Sequence, residues 1–292
     1  MHILLLSSGN VYGNEEIVAS LRKRGHDAKY VHLSSIFFDT GGETSVRDFD
    51  DVDAVLVRVT GSYAKHARLM AMWMRKKKKI VVDSRLANFQ ELGKIYSLFV
   101  LSSHGIRCPR TVHTANPKLL KKAIREFKLP LLVKPLGGRK GRGIKKFESY
   151  ESVLRYISRR DSRFLIQEYI EEEADLRVFV TGDKALGCMR KIPKQGEFRA
   201  NVALGAKTEV YNADDSIMRL AIRSAKILGI QIAGVDIAID KEGKPWVLEV
   251  NRVPQFKAFQ KTTGIDVPDA IAEYVDAVVK KGGEKFWSEV VT

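Results

Sequence analysis

The chain has 292 residues, 45% of them hydrophobic and 29% charged, with a mean hydropathy of −0.18. That composition leaves room for a sizeable core and excludes a largely disordered, collagen-like or membrane-embedded chain. Fifty Lys and Arg against 35 Asp and Glu give a net charge of +15, which asks for anionic partners without choosing among nucleic acid, nucleotide phosphates, a membrane surface or an acidic substrate.

Two cysteines, Cys108 and Cys188, without CxxC spacing exclude a disulfide framework and a zinc ribbon. No apolar run reaches the ~18 residues of a membrane span, so a cytoplasmic, reducing location is expected. Along the first 87 residues, the apolar runs Ile3 to Leu6, Tyr30 to Leu33, Ala54 to Val59 and Ile80 to Val82 read as short buried strands. Between the first two, Asn14 can cap a helix whose first turn carries Glu15 and Glu16. Its last turn carries Arg22 to Arg24, and Gly25 can take the left-handed stop. Residues 1–87 therefore read as an α/β domain. The Gly9-Asn10-Val11-Tyr12-Gly13 stretch lacks the G-x-G-x-x-G spacing of a dinucleotide site.

A second helix start at Asn88, with Glu91 three residues on, runs toward Gly105, and Asn116-Pro117 opens another. The strand Leu131 to Lys134 leads into the glycine-rich loop Gly137 to Gly143, and strand and helix alternate to Glu168; residues 88–170 read as an α+β lobe. From 171 to 292, strands at Arg177 to Val180, Ala185 to Met189 and Ile232 to Ile239 surround a helix from Asp214 to Leu228. A last helix follows Val267-Pro268.

The segment Gly234 to Asn251 reads as a hairpin with Glu242-Gly243 at its tip. A turn there places Asp236 across from Glu249, and Asn251 on the same face. Like charges so opposed, with side-chain roots ~4.5–5.5 Å apart, repel unless a cation joins them; oxygen-only ligands suit Mg²⁺ shared with phosphate. Solvated strand carboxylates are the plain alternative, and the neighbouring motifs decide against it. Lys134 ends an apolar strand, an awkward place for a charge that meets no anion. The loop after it interleaves glycines with Arg139, Lys140 and Arg142, and suits a flap over phosphates. The strand ends Gln167-Glu168-Tyr169-Ile170 and Asp175-Leu176-Arg177 can hold an adenine and ribose hydroxyls.

Together with Glu197-Phe198-Arg199-Ala200-Asn201 and Lys261 to Asp266, these segments resemble the ATP-grasp superfamily, and within it the RimK-type (alpha-L-glutamate ligase-like) carboxylate-amine ligases, over about Phe89 to Asp269. The resemblance implies an N-terminal Rossmann-like pre-ATP-grasp domain followed by two α+β lobes clasping ATP. It implies Lys94 and Lys134 on the phosphates, Gly141 and Gly143 in the flap, Glu168 and Tyr169 at the adenine, and Asp175 at the ribose. Arg199, Ala200 and Asn201 would reach the nucleotide. Asp236, Glu249 and Asn251 would bind two Mg²⁺ ions, with Mn²⁺ as a substitute and Glu249 bridging. Arg190 would stabilise the reacting phosphoryl and acyl groups.

The implied chemistry is activation of a carboxylate as an acyl phosphate and its capture by an amine. The expected partners are ATP, an amino acid such as glutamate, and an acidic acceptor: a protein C-terminus, a coenzyme glutamyl tail or polyglutamate. Oligomeric state is left open, and no membrane partner is expected. This chain departs from the ribosomal protein ligase of that group in its cation-rich glycine loop, in Ala200, and in Arg252-Val253-Pro254-Gln255-Phe256 after Asn251. Arg252 and Lys257 are candidates for a substrate carboxylate. The run Arg75 to Lys79 suits nucleic-acid phosphates or a helix end; no nucleic-acid-binding motif accompanies it, which favours the helix end. A nucleotide- or nucleic-acid-binding protein without ligase chemistry is the alternative for the whole chain.

Overall fold

The structure, a computed structural model, describes residues 1–9, 11–36, 38, 49–59, 61–87, 93–136, 143–158, 164–200 and 202–282. Asn88, Glu91, the loop residues 137–142 with Gly141, and Asn201 lie outside them. The N-terminal segment forms β1 (His2–Ser7), α1 (Asn14–Lys23), β2 (Asp27–His32), β3 (Ala54–Arg58), α2 (Ala64–Lys76), β4 (Ile80–Val82) and the short α3 (Ser84–Ala87). Its strands pair in parallel in the order β2-β1-β3-β4. Such sheets are covered on both faces, hence the uninterrupted apolar runs.

Gly13 rather than Asn14 takes the N-cap position of α1, at φ 84. A Cβ there would stand 2.1 Å from Cζ of Phe256, so no larger residue fits. Asn14 instead accepts a hydrogen bond at Oδ1 from Nε of Arg58, 2.9 Å away. The basic run is the end of α2. The Lys78 and Lys79 amides return to the carbonyls of Arg75 and Met74 at 2.9 Å each, and Lys78 takes the left-handed position at φ 57.

The second sheet follows α4 (Lys94–Ser103). It comprises β5 (Thr111–Val112), then after α5 (Pro117–Ile124) β6 (Leu131–Pro135) and β7 (Lys145–Phe147), and after α6 (Tyr150–Ile157) β8 (Phe164–Glu168). The order is β5-β8-β6-β7, antiparallel throughout. Asn116 and Ser149 cap α5 and α6, and the apolar sides of those helices cover one sheet face: Leu131, Val133, Phe164 and Ile166. Leu132, Lys134 and Gln167 alternate to the other face. Leu101 of α4 and the following Ile106 pack with the third sheet instead, so residues 94–106 share the C-terminal core.

The third sheet comprises β9 (Glu172–Thr181), β10 (Lys184–Ile192), β11 (Lys207–Val210), β12 (Ile232–Asp240) and β13 (Pro245–Asn251). Helix α7 (Asp215–Ile227) precedes β12, while α8 (Lys257–Thr263) and α9 (Val267–Lys280) follow β13. The antiparallel order is β11-β10-β9-β12-β13. One face, with Leu176, Val178, Val235 and Ile237, packs with α7 residues and Leu101 of α4 in one core. On the other, Phe179, Met189 and Ile232 join Phe256, Phe259, α9 and residues of β1 and α1 in a single core. The N-terminal and C-terminal segments are thus fused through apolar contact, reinforced by Arg24, which donates to both oxygens of Asp269 at 2.7 and 3.0 Å.

Candidate active site

Alternation along β9 puts Asp175, Arg177 and Phe179 on one face, charged at one end and apolar at the other. Strand register then decides which charges meet. Arg177 pairs with Asp236, Asp236 with Glu249, Gly234 with Asn251, and Asp175 with Lys191. The guanidinium of Arg177 forks onto Asp236, donating from Nε to Oδ1 and from Nη2 to Oδ2 at 2.7 Å each. Nζ of Lys191 donates to Asp236 Oδ1 at 2.9 Å and pairs with Asp175 at 2.6 Å. Nδ2 of Asn251 reaches Asp236 Oδ2 at 3.1 Å.

Buried charges persist only when paired and hydrogen-bonded, and this cluster meets the condition. Burial works to raise the Asp236 carboxyl, but Arg177 and Lys191 outweigh it and hold it at about 2. Asp175 is pushed up to about 6 by burial against the pull of Lys191, and Glu172 up to about 8 by burial with Asp175 adding to it.

The hairpin reaches the expected pairing by an unexpected route. Its tip is a wider turn around Lys241-Glu242-Gly243, in which the Asp240 amide donates to the Lys244 carbonyl at 3.1 Å and Gly243 takes φ 74. Ile237 consequently faces Val247, and a bulge at Leu248 then restores Asp236 opposite Glu249.

From the second sheet, Nζ of Lys134 donates to Oε1 of the buried Gln167 at 2.5 Å, and Gln167 Nε2 donates to Thr111 at 2.7 Å. Burial lowers the Lys134 ammonium to about 8, with Glu249 pulling it upward and Lys94 downward. Lys94, Asp175 and Glu249 therefore lie within electrostatic reach of Lys134. Tyr169 stacks under Nζ of Lys146 at 4.3 Å and meets Phe198 edge-on at 6.4 Å, which brings the end of β8 beside the segment carrying Arg199. Arg199 forks onto Glu197 at 2.6 and 2.9 Å and holds that carboxyl at about 2. Ala200 is buried, and Gly143 sits at φ 78 with Pro135 behind it.

Three expected positions fall elsewhere. Glu168 pairs with Leu131 on the core face of its sheet, and its carboxylate accepts from the Arg110 amide at 2.5 Å, so it does not share the face of Lys134. Arg190 pairs with Leu176 and Glu209, on the face opposite Asp236; its guanidinium donates to the Glu173 carbonyl at 2.7 Å. Strand alternation is the reason, and it puts the neighbouring Lys191 in the cluster instead. Arg252 donates to Asp83 and to the Val59 carbonyl, tying the sheet end to the N-terminal domain. The sequence motifs give Arg177 no role of its own and leave Lys191 unmarked. The signal was their alternation with Asp175 and Asp236.

Among the described residues, no group of three His, Cys, Asp or Glu side chains could hold a metal ion, so the third donor has to be the Asn251 amide. The Glu249 carboxylate makes no hydrogen bond or ion pair with a described residue, whereas the four hydrogen bonds to Asp236 use its ordinary acceptor capacity. The all-oxygen set fits a hard divalent cation, with Glu249 as its principal ligand.

The description of a RimK-like ATP-grasp domain matches residues 92–275. A protein of Methanococcoides burtonii named as a probable alpha-L-glutamate ligase is 30% identical over 98% of both chains. A protein of the same name from Vibrio vulnificus strain YJ016 is 29% identical over 98% of both. The solved structure of the ATP-grasp ligase PsnB with a minimal precursor, Mg and ADP superposes with a TM-score of 0.72 at 20% identity, over 95% of this chain and 97% of the other.

Proposed function

The chain belongs to the RimK-like ATP-grasp family and is an ATP-dependent ligase, and on that premise we propose that it adds L-glutamate to an acidic acceptor through an acyl phosphate. The observation that carries this reading is the register that sets Asp236 against Glu249 and Gly234 against Asn251 while Arg177 and Lys191 bond to Asp236: oxygens fit for a metal lie beside fixed cations fit for phosphate. Lys94 and Lys134 bind the phosphates as point charges, aided by Gly141 and Gly143. The Glu168 and Tyr169 strand end holds the adenine by backbone and ring, and Asp175 the ribose. Arg199, Ala200 and Asn201 approach the nucleotide from beside Tyr169. Glu249 and Asn251, with Asp236 beside them, would hold Mg²⁺, which when bound would supply neutralising charge for the transferring phosphoryl group.

An acceptor carboxylate oxygen attacks the γ-phosphorus of ATP; the bond to the bridging oxygen breaks and ADP leaves. The amine of the amino acid then attacks the acyl carbon, phosphate departs with the bonding pair, and the amine proton is lost to solvent. Arg177 and Lys191, in place of Arg190, are the fixed cations beside this build-up of negative charge. Closure over the phosphates keeps water from the acyl phosphate. Incubation with Mg-ATP, L-glutamate and acidic acceptors should release ADP and phosphate in step with a one-residue mass gain in the acceptor. Glu249→Ala should abolish both, and full activity in that variant would sink the metal assignment.

A further inference from the structure

Arg58, the last residue of β3, is 2% exposed. Its Nε is committed to Asn14, but among the described residues neither Nη1 nor Nη2 has a hydrogen-bond partner, although both are buried. Lys191 and Arg252, the comparable charges nearby, sit on carboxylates. Among the described residues no carboxylate offsets Arg58, and burial lowers it to about 10. The ring of Phe256, 5.2 Å from the guanidinium carbon, satisfies neither Nη group. A structural arginine buried this deeply is ordinarily saturated with acceptors, because an unpaired buried charge is among the costliest things a fold can hold.

The position is equally telling. The sheet order β2-β1-β3-β4 reverses between β1 and β3, and open parallel sheets bind ligands at the carboxyl ends of the strands flanking such a reversal. Arg58 stands at that end of β3, and its neighbour Ser7 ends β1, donating to the Arg58 carbonyl at 3.1 Å. Arg58 also borders a small cavity with Asp83, Gln231 and Arg252, where the N-terminal sheet meets the C-terminal lobe. Phe256, beneath the guanidinium, packs edge-on against Phe179 at 6.1 Å. Phe179 in turn pairs with Gly234, where a Cβ would stand 2.9 Å from Nη1 of Arg177. Two apolar rings, Phe256 and Phe179, and Gly234 therefore link Arg58 to the Asp236 cluster.

We propose that Arg58 anchors a substrate carboxylate that takes no part in bond formation, belonging either to the amino acid or to the acidic acceptor. With Nε held by Asn14, the two Nη groups remain as an end-on fork matching the two oxygens of a carboxylate. The assignment rests on the ligase function proposed above.

Arg58→Met keeps side-chain length and removes the charge; relief of the unpaired charge offsets the hydrogen bond lost at Asn14, so the melting temperature should stay close to wild type. Affinity for Mg-ATP should be unchanged, whereas KM for one substrate should rise about 10- to 100-fold, the range of a hydrogen-bonded charge. A rise confined to glutamate identifies the amino acid as the source, and a rise confined to the acceptor identifies the acceptor. Wild type assayed with the amide of the anchored carboxylate should lose as much as the variant does, and the variant should no longer tell acid from amide. Both KM values within twofold of wild type, or a lower melting temperature with unchanged KM, overturn the proposal. Should the Met variant not fold, Arg58→Lys keeps the charge without the fork, and wild-type KM values in it likewise overturn the proposal. A melting-temperature rise with millimolar L-glutamate that Arg58→Met abolishes would uphold the anchor even if no acceptor were ever ligated, which separates its fate from that of the ligase function.

Discussion

Asp236 and Arg58 are both buried charges, 7% and 2% exposed, yet the fold treats them in opposite ways. Asp236 receives four hydrogen bonds from Arg177, Lys191 and Asn251, supplied by three neighbouring strands and fixed by register. Arg58 receives one acceptor and a ring. The first group is compensated before any ligand arrives, as suits a preorganised electrostatic site whose dipoles must not move during reaction. The second is left open, as suits a group whose counterion comes and goes. Glu249, directly across from Asp236 and with its carboxylate bonded to no described residue, is the open member within the compensated cluster.

The sharpest way to break this comparison is to remove one partner from the compensated cluster. Asp236→Asn leaves Arg177 and Lys191 with Asp175 as the one paired carboxylate among the described residues, and should cost about 3–5 kcal/mol in denaturant unfolding besides abolishing ligation. Arg58→Met, at similar burial, should cost no more than about 1 kcal/mol, the loss of its bond to Asn14 being offset by removal of the unpaired charge; equal losses in the two variants would erase the distinction. Next in size is Lys191→Met, expected to lower kcat about 10²-fold, the effect of deleting one preorganised charge from a reacting centre. Arg190→Met, on the opposite sheet face, should stay within about threefold of wild type and within about 0.5 kcal/mol in stability. The reverse ranking would return the catalytic role to Arg190.

The reason the sequence points to Arg190 while the fold sets Lys191 beside Asp236 is physical. The turn at Gly182-Asp183 joins β9 and β10 so that Thr181 faces Lys184 and Val180 faces Ala185. Continued without interruption, that ladder would bring Arg190 opposite Asp175. A bulge at Leu186 shifts it by one residue and delivers Lys191 instead. Nothing in the Lys184 to Ile192 stretch announces the bulge, since it serves packing against residues distant in sequence. A Cβ on the adjoining Gly187 would lie 2.7 Å from Ile265.

The β12–β13 hairpin shows the opposite outcome. A wider turn and a bulge cancel, so the sequence reading of Asp236 against Glu249 stands although the assumed tip does not. Strands and capped helices were legible wherever local chemistry sets them: the apolar runs of β1 to β4, Asn116 before α5, Asp214 before α7 and Asp266 before α9. What local chemistry does not set was not legible, such as the docking of α4 on the third sheet. Arg58 was visible as a charge inside the run Ala54 to Val59, but only the strand order gives that charge a meaning.

A milder perturbation titrates the comparison instead of mutating it. Lys134 lies between the extremes, held by one acceptor at 2.5 Å and lowered to about 8 by burial. It is charged below that value and neutral above it, so its attraction for nucleotide phosphate is full in mild acid and lost as pH rises through about 8. Bound phosphate favours the charged form, so the break should appear in affinity measured from the free protein. Titration calorimetry of Mg-ATP from pH 6.5 to 9.5 should show a decline that sets in near 8 in the wild type. In Lys134→Met binding should be weaker throughout and that decline should vanish, while Arg58→Met should keep it. A wild-type profile that stays flat across this range would mean that Lys134 does not meet the phosphates.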